Sequence, residues 1–220
     1  MDGKALSLGS FKEMDYMAVE EFGLPIELMM ENAGLQLARL ITSSSTKSSK
    51  ILVGIGNGNN GGGGLVAARR LAAWGFEVYL DLPVEITKEL PKAQLKRALL
   101  FGAKKEKLQT PDIWVDAYLG FSQRLPLGTI FTERIKAANT SSAFRISLDI
   151  PVGISTDTDQ PMFNAHQVLT LAAPKNILKT LPSETEIYIA DIGIPQPIYE
   201  RYTIPMPHFF EHQIISSKNN

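Results

Sequence analysis

The apolar run Ile51-Leu-Val53 breaks almost at once into Gly56-Asn-Gly-Asn-Asn-Gly-Gly-Gly-Gly64, and a helical pattern follows from Leu65. A strand that turns through glycines straight into a helix constrains the chain more than any other feature here. Glycine lets the backbone come close to a ligand, and the helix start then offers N–H donors and the positive end of its dipole. Gly56-x-Gly58-x-x-Gly61 has the spacing of a dinucleotide fingerprint, and Asp81 lies near the end of the next strand, where such folds place a ribose-binding acid. Four successive glycines cost backbone entropy that a plain turn does not require, which favours a ligand over a bare turn. No Gly-Lys-Ser/Thr closes the loop, so it is not a P-loop. Asn59 and Asn60 instead offer side-chain amide oxygens suited to a hard cation or a sugar hydroxyl.

The remainder of the chain alternates strand and helix. Ser10-Phe-Lys-Glu13 fits a capping box that opens a first helix ending near Gly23, and Pro25 suits the first position of a second. Ile26, Met29, Met30, Ala33, Leu37, Leu40 and Ile41 give that second helix one apolar face. The serines from Ser43 to Ser49 read as a linker within one domain. Further strands are expected at Phe76–Leu80, Ile113–Val115, Phe144–Leu148, Val168–Leu171 and Glu186–Ala190, with helices over 65–74, 92–100 and 132–138. This alternation predicts an α/β protein with a mainly parallel sheet covered on both faces. The 220 residues are read as one domain, with its core over about 11–195 and an irregular tail over 196–220.

Composition excludes several classes. Cysteine is absent, which removes disulfides, thiolate metal sites and a cysteine nucleophile, and the formal net charge of −1 gives no reason to expect nucleic acid or an anionic membrane as partner. No stretch reaches the roughly 18 apolar residues of a membrane span, and the first residues lack a signal-peptide core. A cytoplasmic protein is expected.

Two strands end on carboxylates: Trp114-Val-Asp116 before Ala117-Tyr-Leu-Gly120, and Ser147-Leu-Asp149 before Ile150-Pro-Val-Gly153. In an open parallel sheet the carboxyl ends of the strands face one crevice, so both aspartates are expected to share the space of the glycine loop. Each could alternatively do no more than cap its own turn.

These residues, in this order, resemble the NAD(P)H-hydrate epimerase family, the YjeF N-terminal domain. Met30-Glu-Asn-Ala-Gly34, Asn59-Asn-Gly-Gly-Gly-Gly-Leu-Val-Ala-Ala-Arg69, Val115-Asp-Ala117 with Gly120, and Asp149-Ile-Pro-Val-Gly153 carry the resemblance, with Ala173-Pro-Lys175 and Asp191-Ile-Gly-Ile-Pro195 adding to it. The resemblance implies a three-layer α/β/α Rossmann-like fold, a homodimer, a potassium ion in the site, and interconversion of the R and S hydrates of NADH and NADPH for a separate dehydratase to repair. By position, Asn60, Asp116 and Val152 become the implied cation ligands. Asn59, Asn60, Gly61, Gly62, Gly63, Gly120, Phe121 and Ser122 become the contacts to the damaged nucleotide. Asp149 becomes the substrate-binding carboxylate and candidate acid/base, and Lys175 either a supporting charge or a solvated surface lysine.

The sequence departs from the family pattern where Gly63 replaces an aspartate, Val152 a serine, Leu119 a phenylalanine and Phe121-Ser122 a Thr-Gly pair. These departures motivate an alternative: a catalytically impaired, nucleotide-binding or dimerising relative. A dehydrogenase is disfavoured because no Tyr-x-x-x-Lys pair occurs. His208-Phe-Phe-Glu-His212 spells a zinc-protease pattern but lies too close to the C-terminus for a downstream helix to supply a third ligand, so an aromatic tail is the expected reading.

Overall fold

The structure is a computed structural model that describes residues 5–156, 160–209 and 214–216. Six strands, β1 (Lys50–Ile55), β2 (Glu77–Asp81), β3 (Ile113–Ala117), β4 (Phe144–Leu148), β5 (Gln167–Leu171) and β6 (Glu186–Ala190), pair in parallel, and β7 (Ile214–Ser216) adds an antiparallel edge. Their spatial order is β2-β1-β3-β4-β5-β6-β7. The order reverses between β1 and β3, and that switch point opens a crevice at the carboxyl ends of the strands. The six helices of the described chain are α1 (Leu8–Glu20), α2 (Ile26–Ser43), α3 (Asn59–Ala73), α4 (Glu89–Leu100), α5 (Thr129–Thr140) and α6 (Gln196–Arg201).

Strand alternation divides the core. Ile51, Val53, Ile55, Val115, Ile146 and Leu148 face the apolar sides of α2, α3 and α4. Leu52, Trp114 and Val168 face α5 and a 3₁₀ turn over Asn176–Thr180. A third cluster joins Phe11, Met14 and Ala18 of α1 to Ile192, Ile194, Ile198 and Tyr199 beyond β6. The fold is therefore the expected three-layer α/β/α arrangement.

The Met30–Gly34 segment holds the helices together. The Met30 side chain occupies the space where a Cβ on Gly62 would lie, and Gly34 leaves room for Val66 and the Gly63 carbonyl. Glu31 takes Arg69 at 2.6 Å and Arg70 at 2.9 Å, and Gln94 donates to it at 3.3 Å, so one carboxylate ties α2 to α3 and α4. Asn32 donates to the Ile192 carbonyl at 3.3 Å.

Four expectations need correction. The first helix is capped by Ser7, whose Oγ accepts from the Ser10 backbone N–H at 3.0 Å. Ser7 stands ahead of the same amides and takes the role expected of Ser10. Pro25 is the N-cap of α2 rather than its first helical residue. α3 begins at Asn59, not at Leu65, so Gly61 to Gly64 form helix instead of loop. The segment after Pro195 is not irregular throughout, since it forms α6 and β7.

The glycines of the turn and of α3 follow from crowding at some positions and not at others. A Cβ on Gly56 would sit 1.8 Å from the Tyr118 carbonyl oxygen, and one on Gly61 would sit 1.9 Å from the carbonyl oxygen of Gly56. Both obstacles are backbone, which cannot swing aside. At Gly58 a Cβ meets nothing within 4 Å. Gly61→Ala is therefore expected to destabilise the fold by about 3 kcal/mol, at the upper end of overpacking costs. Gly58→Ala should change it by less than about 1 kcal/mol, the scale of an N-cap change. Urea unfolding of the two variants beside the wild type checks this pair.

Candidate active site

A cavity of about 300 Å³ lies at the carboxyl ends of β1, β3 and β4. α3 supplies Asn59, Asn60 and Gly63; the turn after β3 supplies Tyr118 through Ser122; the end of β4 supplies Leu148 and Asp149. α1 and α2 close the other side with Lys12, Asp15, Tyr16, Met29 and Met30, and Lys88 reaches in from the start of α4. The N-cap of α3, Gly58, has no side-chain cap, so the first amides of that helix stay available beside the cavity.

Asp149 is the best-held group in the wall. Its φ of 70° places a non-glycine residue in the left-handed region, and its amide is fixed to the Leu169 carbonyl at 2.8 Å. Oδ2 accepts from the Phe121 N–H at 2.9 Å, and Oδ1 faces Lys175 Nζ at 2.9 Å. The carboxylate thus orders the turn after β3 while presenting itself to the cavity.

Lys175 is fully buried. Nζ donates to Thr170 Oγ1 at 2.8 Å and to the Leu171 carbonyl at 3.0 Å, and it lies 3.7 Å from the centroid of the Phe11 ring. Burial pushes its pKa down, and the charges of Asp149 and Asp15 oppose that shift. The reading of Lys175 as a solvated surface lysine is therefore corrected: it is a buried counter-ion. The backbone around it also anchors α1, because the Leu6 N–H donates to the Pro174 carbonyl at 2.9 Å and the Asn176 N–H to Leu6 at 2.8 Å.

Asp15, one helical turn beyond Phe11, was not singled out by sequence. Burial and then the charge of Asp149 raise its pKa to about 6, while Lys175 pulls it down. No glycine, proline or strand end marks this position. The only available signal was its place on an amphipathic helix, which many surface aspartates share.

Asp116 is completely buried but does not line the cavity. It lies on the α5 face of β3, where Oδ2 accepts from Ser147 Oγ and from the Val152 N–H at 2.8 Å each, and Oδ1 accepts from the Tyr118 N–H at 3.2 Å. Burial raises its pKa to about 7. Among the described residues no lysine or arginine pairs with it. A buried carboxylate without a basic partner suits a cation, and Oδ1 retains lone-pair capacity for one. Asn60, on α3, donates its side-chain amide to the Leu148 carbonyl at 3.3 Å. The donor chemistry of Asn60, Asp116 and the Val152 main chain thus fits a weakly bound, oxygen-seeking cation, although only Asn60 reaches the cavity wall.

Of the remaining expected contacts, Asn59, Asn60, Gly63, Gly120, Phe121 and Ser122 line the cavity. Gly61 and Gly62 are packed beneath it, against Gly56 and Met30. Asp81 is engaged elsewhere, accepting from Tyr118 Oη at 2.6 Å and pairing with Arg134 at 3.0 Å. It braces the turn after β3 and does not line the cavity. Among the described residues no group of histidines and acids is arranged to hold a metal, and Glu211 and His212 of the zinc-like pattern lie outside them. No helix of the described chain is long and apolar enough to cross a membrane.

The fold and this cavity define an α/β protein with a small-molecule site at its switch point. The family described as YjeF-related protein N-terminus matches residues 26–177, and the chain belongs to that family. It is 36% identical to the NAD(P)H-hydrate epimerase of Rhodopirellula baltica over 88% of this chain and 86% of the relative. It is 35% identical to the Plasmodium knowlesi protein of the same name over 86% of this chain and 69% of that one. The crystal structure of the yeast protein ynu0 superimposes with a TM-score of 0.86 at 23% identity, covering 97% of this chain and 99% of that one, which shows the common fold.

Lys175→Met would leave Asp149 buried without its counter-ion, and removal of one partner of a buried pair costs about 3–5 kcal/mol. Adding Asp149→Asn removes the stranded charge and should recover much of that loss. Denaturant melts of the single and double variants measure it.

Proposed function

We propose that this protein is an epimerase of hydrated NADH and NADPH, inverting the hydroxyl-bearing ring carbon. The observation that carries the reading is Asp149: a carboxylate at the cavity wall, fixed by Lys175 and the Phe121 N–H, in a chain similar over most of its length to NAD(P)H-hydrate epimerases. A cavity of about 300 Å³ suits a nicotinamide ring with part of its ribose-phosphate. The uncapped start of α3 and Lys88 offer an anion site for the phosphates. Met29, Met30 and Tyr118 give the ring an apolar bed.

Asn59, Asn60, Gly63, Gly120, Phe121 and Ser122 are the proposed nucleotide contacts, with Gly61 and Gly62 serving as the close-packed support beneath them. Asp149 is the acid/base: it exchanges a proton with the substrate hydroxyl or with the water that replaces it. A potassium ion held by Asn60, Asp116 and the Val152 carbonyl would supply positive charge beneath the wall and relieve the buried Asp116. The same reading includes a homodimer, a cytoplasmic setting and a separate dehydratase that consumes one epimer. In support of the last, a relative from Thermofilum pendens, 31% identical, is a bifunctional NAD(P)H-hydrate repair enzyme of which this chain covers 41%.

The impaired-relative reading rests on Gly63 and Val152, which lack the acid and the hydroxyl of the family pattern. One assay decides between the two. Purified protein should equilibrate the R and S hydrates of NADH faster than they interconvert spontaneously, and faster with potassium than with sodium. Asp149→Ala should lower kcat by about 10²–10⁴-fold, the usual contribution of a positioned acid/base. A wild type no faster than buffer would establish the impaired reading instead.

A further inference from the structure

We propose that Asp15 is the second acid/base carboxylate of this site, acting on the substrate hydroxyl from helix α1 while Asp149 acts from the end of β4. The inference rests on the epimerase reading above and assigns a residue to it that the motifs do not contain.

The geometry carries it. Asp15 lines the cavity that Asp149 also lines. It stands four residues after Phe11, so both project from the same face of α1. The Phe11 ring lies over the Lys175 ammonium at 3.7 Å, and Lys175 in turn faces Asp149 at 2.9 Å. The hydrogen bonds of Leu6 to Pro174 and Asn176 fix the start of α1 beside that lysine. Two carboxylates from different elements therefore line one cavity, Asp149 paired with the buried Lys175 and Asp15 within reach of its charge.

Inversion needs a proton delivered on one side of the ring carbon and removed on the other. Asp15 in its carboxylic form gives its proton to the departing hydroxyl. The C–O bond breaks with its electron pair on oxygen, water leaves, and the ring nitrogen's lone pair forms the C=N⁺ bond. A water then adds from the opposite side: its lone pair makes the new C–O bond, the C=N⁺ pair returns to nitrogen, and the Asp149 carboxylate takes the released proton. One water leaves and one enters, so atoms and charge balance. Before the next turnover Asp149 loses its proton to water of the cavity and Asp15 regains one from it. The burial and like charge that raise the pKa of Asp15 to about 6 keep it close enough to neutrality to carry that proton.

Asp149 and Lys175 act on Asp15 from the sheet side, and the other charged and titratable groups lining its cavity are Lys12 and Tyr16 on α1, Lys88 at the start of α4, and Tyr118 after β3. The test uses the full chain and hydrated NADH. Asp15→Asn should keep the wild-type melting temperature and a KM within about threefold, while kcat falls by about 10²–10⁴-fold, the range for a lost general acid. Asp15→Glu should restore part of kcat. The fall of wild-type kcat with rising pH, from loss of the acid's proton, should vanish in Asp15→Asn. A wild-type kcat in Asp15→Asn, an unchanged pH profile, or a folded Asp15→Glu no more active than Asp15→Asn would overturn the proposal while the epimerase reading stands. An inactive wild type would overturn both.

Discussion

The molecule is organised around a backbone-to-backbone contact that only glycine permits. Gly56 presses against the Tyr118 carbonyl and Gly61 against Gly56 itself. That contact lets α3 begin at Asn59, at the rim of the sheet, after a turn of only Gly56, Asn57 and Gly58. Two consequences follow. The uncapped amides of α3 come up against the switch-point crevice, and the turn from Tyr118 to Ser122 is drawn over the same crevice. Gly62 and Gly64 extend the principle along the helix, since a Cβ on either would meet Met30 or Ala117 within 2.5 Å. The entropy lost by a glycine-rich helix, on the order of 1 kcal/mol per residue relative to alanine, is the cost of this approach.

The second organising interaction is the buried pair of Lys175 and Asp149. Desolvating two charges is expensive, and such pairs seldom stabilise a fold more than apolar replacements would. Here the pair has a further consequence. It holds a carboxylate in a left-handed backbone position at the cavity wall and brings α1 against the sheet through Phe11. The site is thereby assembled from elements far apart in the chain.

The sheet was legible because strand and helix alternate with clear punctuation: β3, β4 and β6 lie where apolar runs meet Asp or Gly. The glycine-rich turn and Asp149 at the cavity wall were legible for the same reason, whereas Asp116, expected in the same crevice, is turned to the other face of β3. Other features were hidden by tertiary context. The helical state of Gly61 to Gly64 contradicts local propensity and is imposed by packing against Met30, Gly56 and Ala117. Asp81 has the spacing of a ribose acid but is taken by Tyr118 and Arg134, partners on other elements. Lys175 carries no local sign of burial, because its environment is built by Phe11, Asp149 and Thr170 from three separate segments.

Gly63 differs from its neighbours in a way that bears on the chemistry. A Cβ there would meet only the Leu148 side chain at 3.1 Å and Ala33 at 3.9 Å, so packing does not demand glycine as it does at Gly61, Gly62 and Gly64. The position lines the cavity, and the family pattern places an acid there. Its absence removes a charge from the α3 wall. It leaves the two carboxylates of the α1 and β4 walls, Asp15 and Asp149, of which Asp149 is paired with Lys175. A third carboxylate in this small cavity would push the pKa of Asp15 further up through like-charge repulsion, as Asp149 already does. With glycine at this position the Asp15 carboxyl feels the like charge of Asp149 and the opposing charge of Lys175, and stays near its proton-exchange range at about 6.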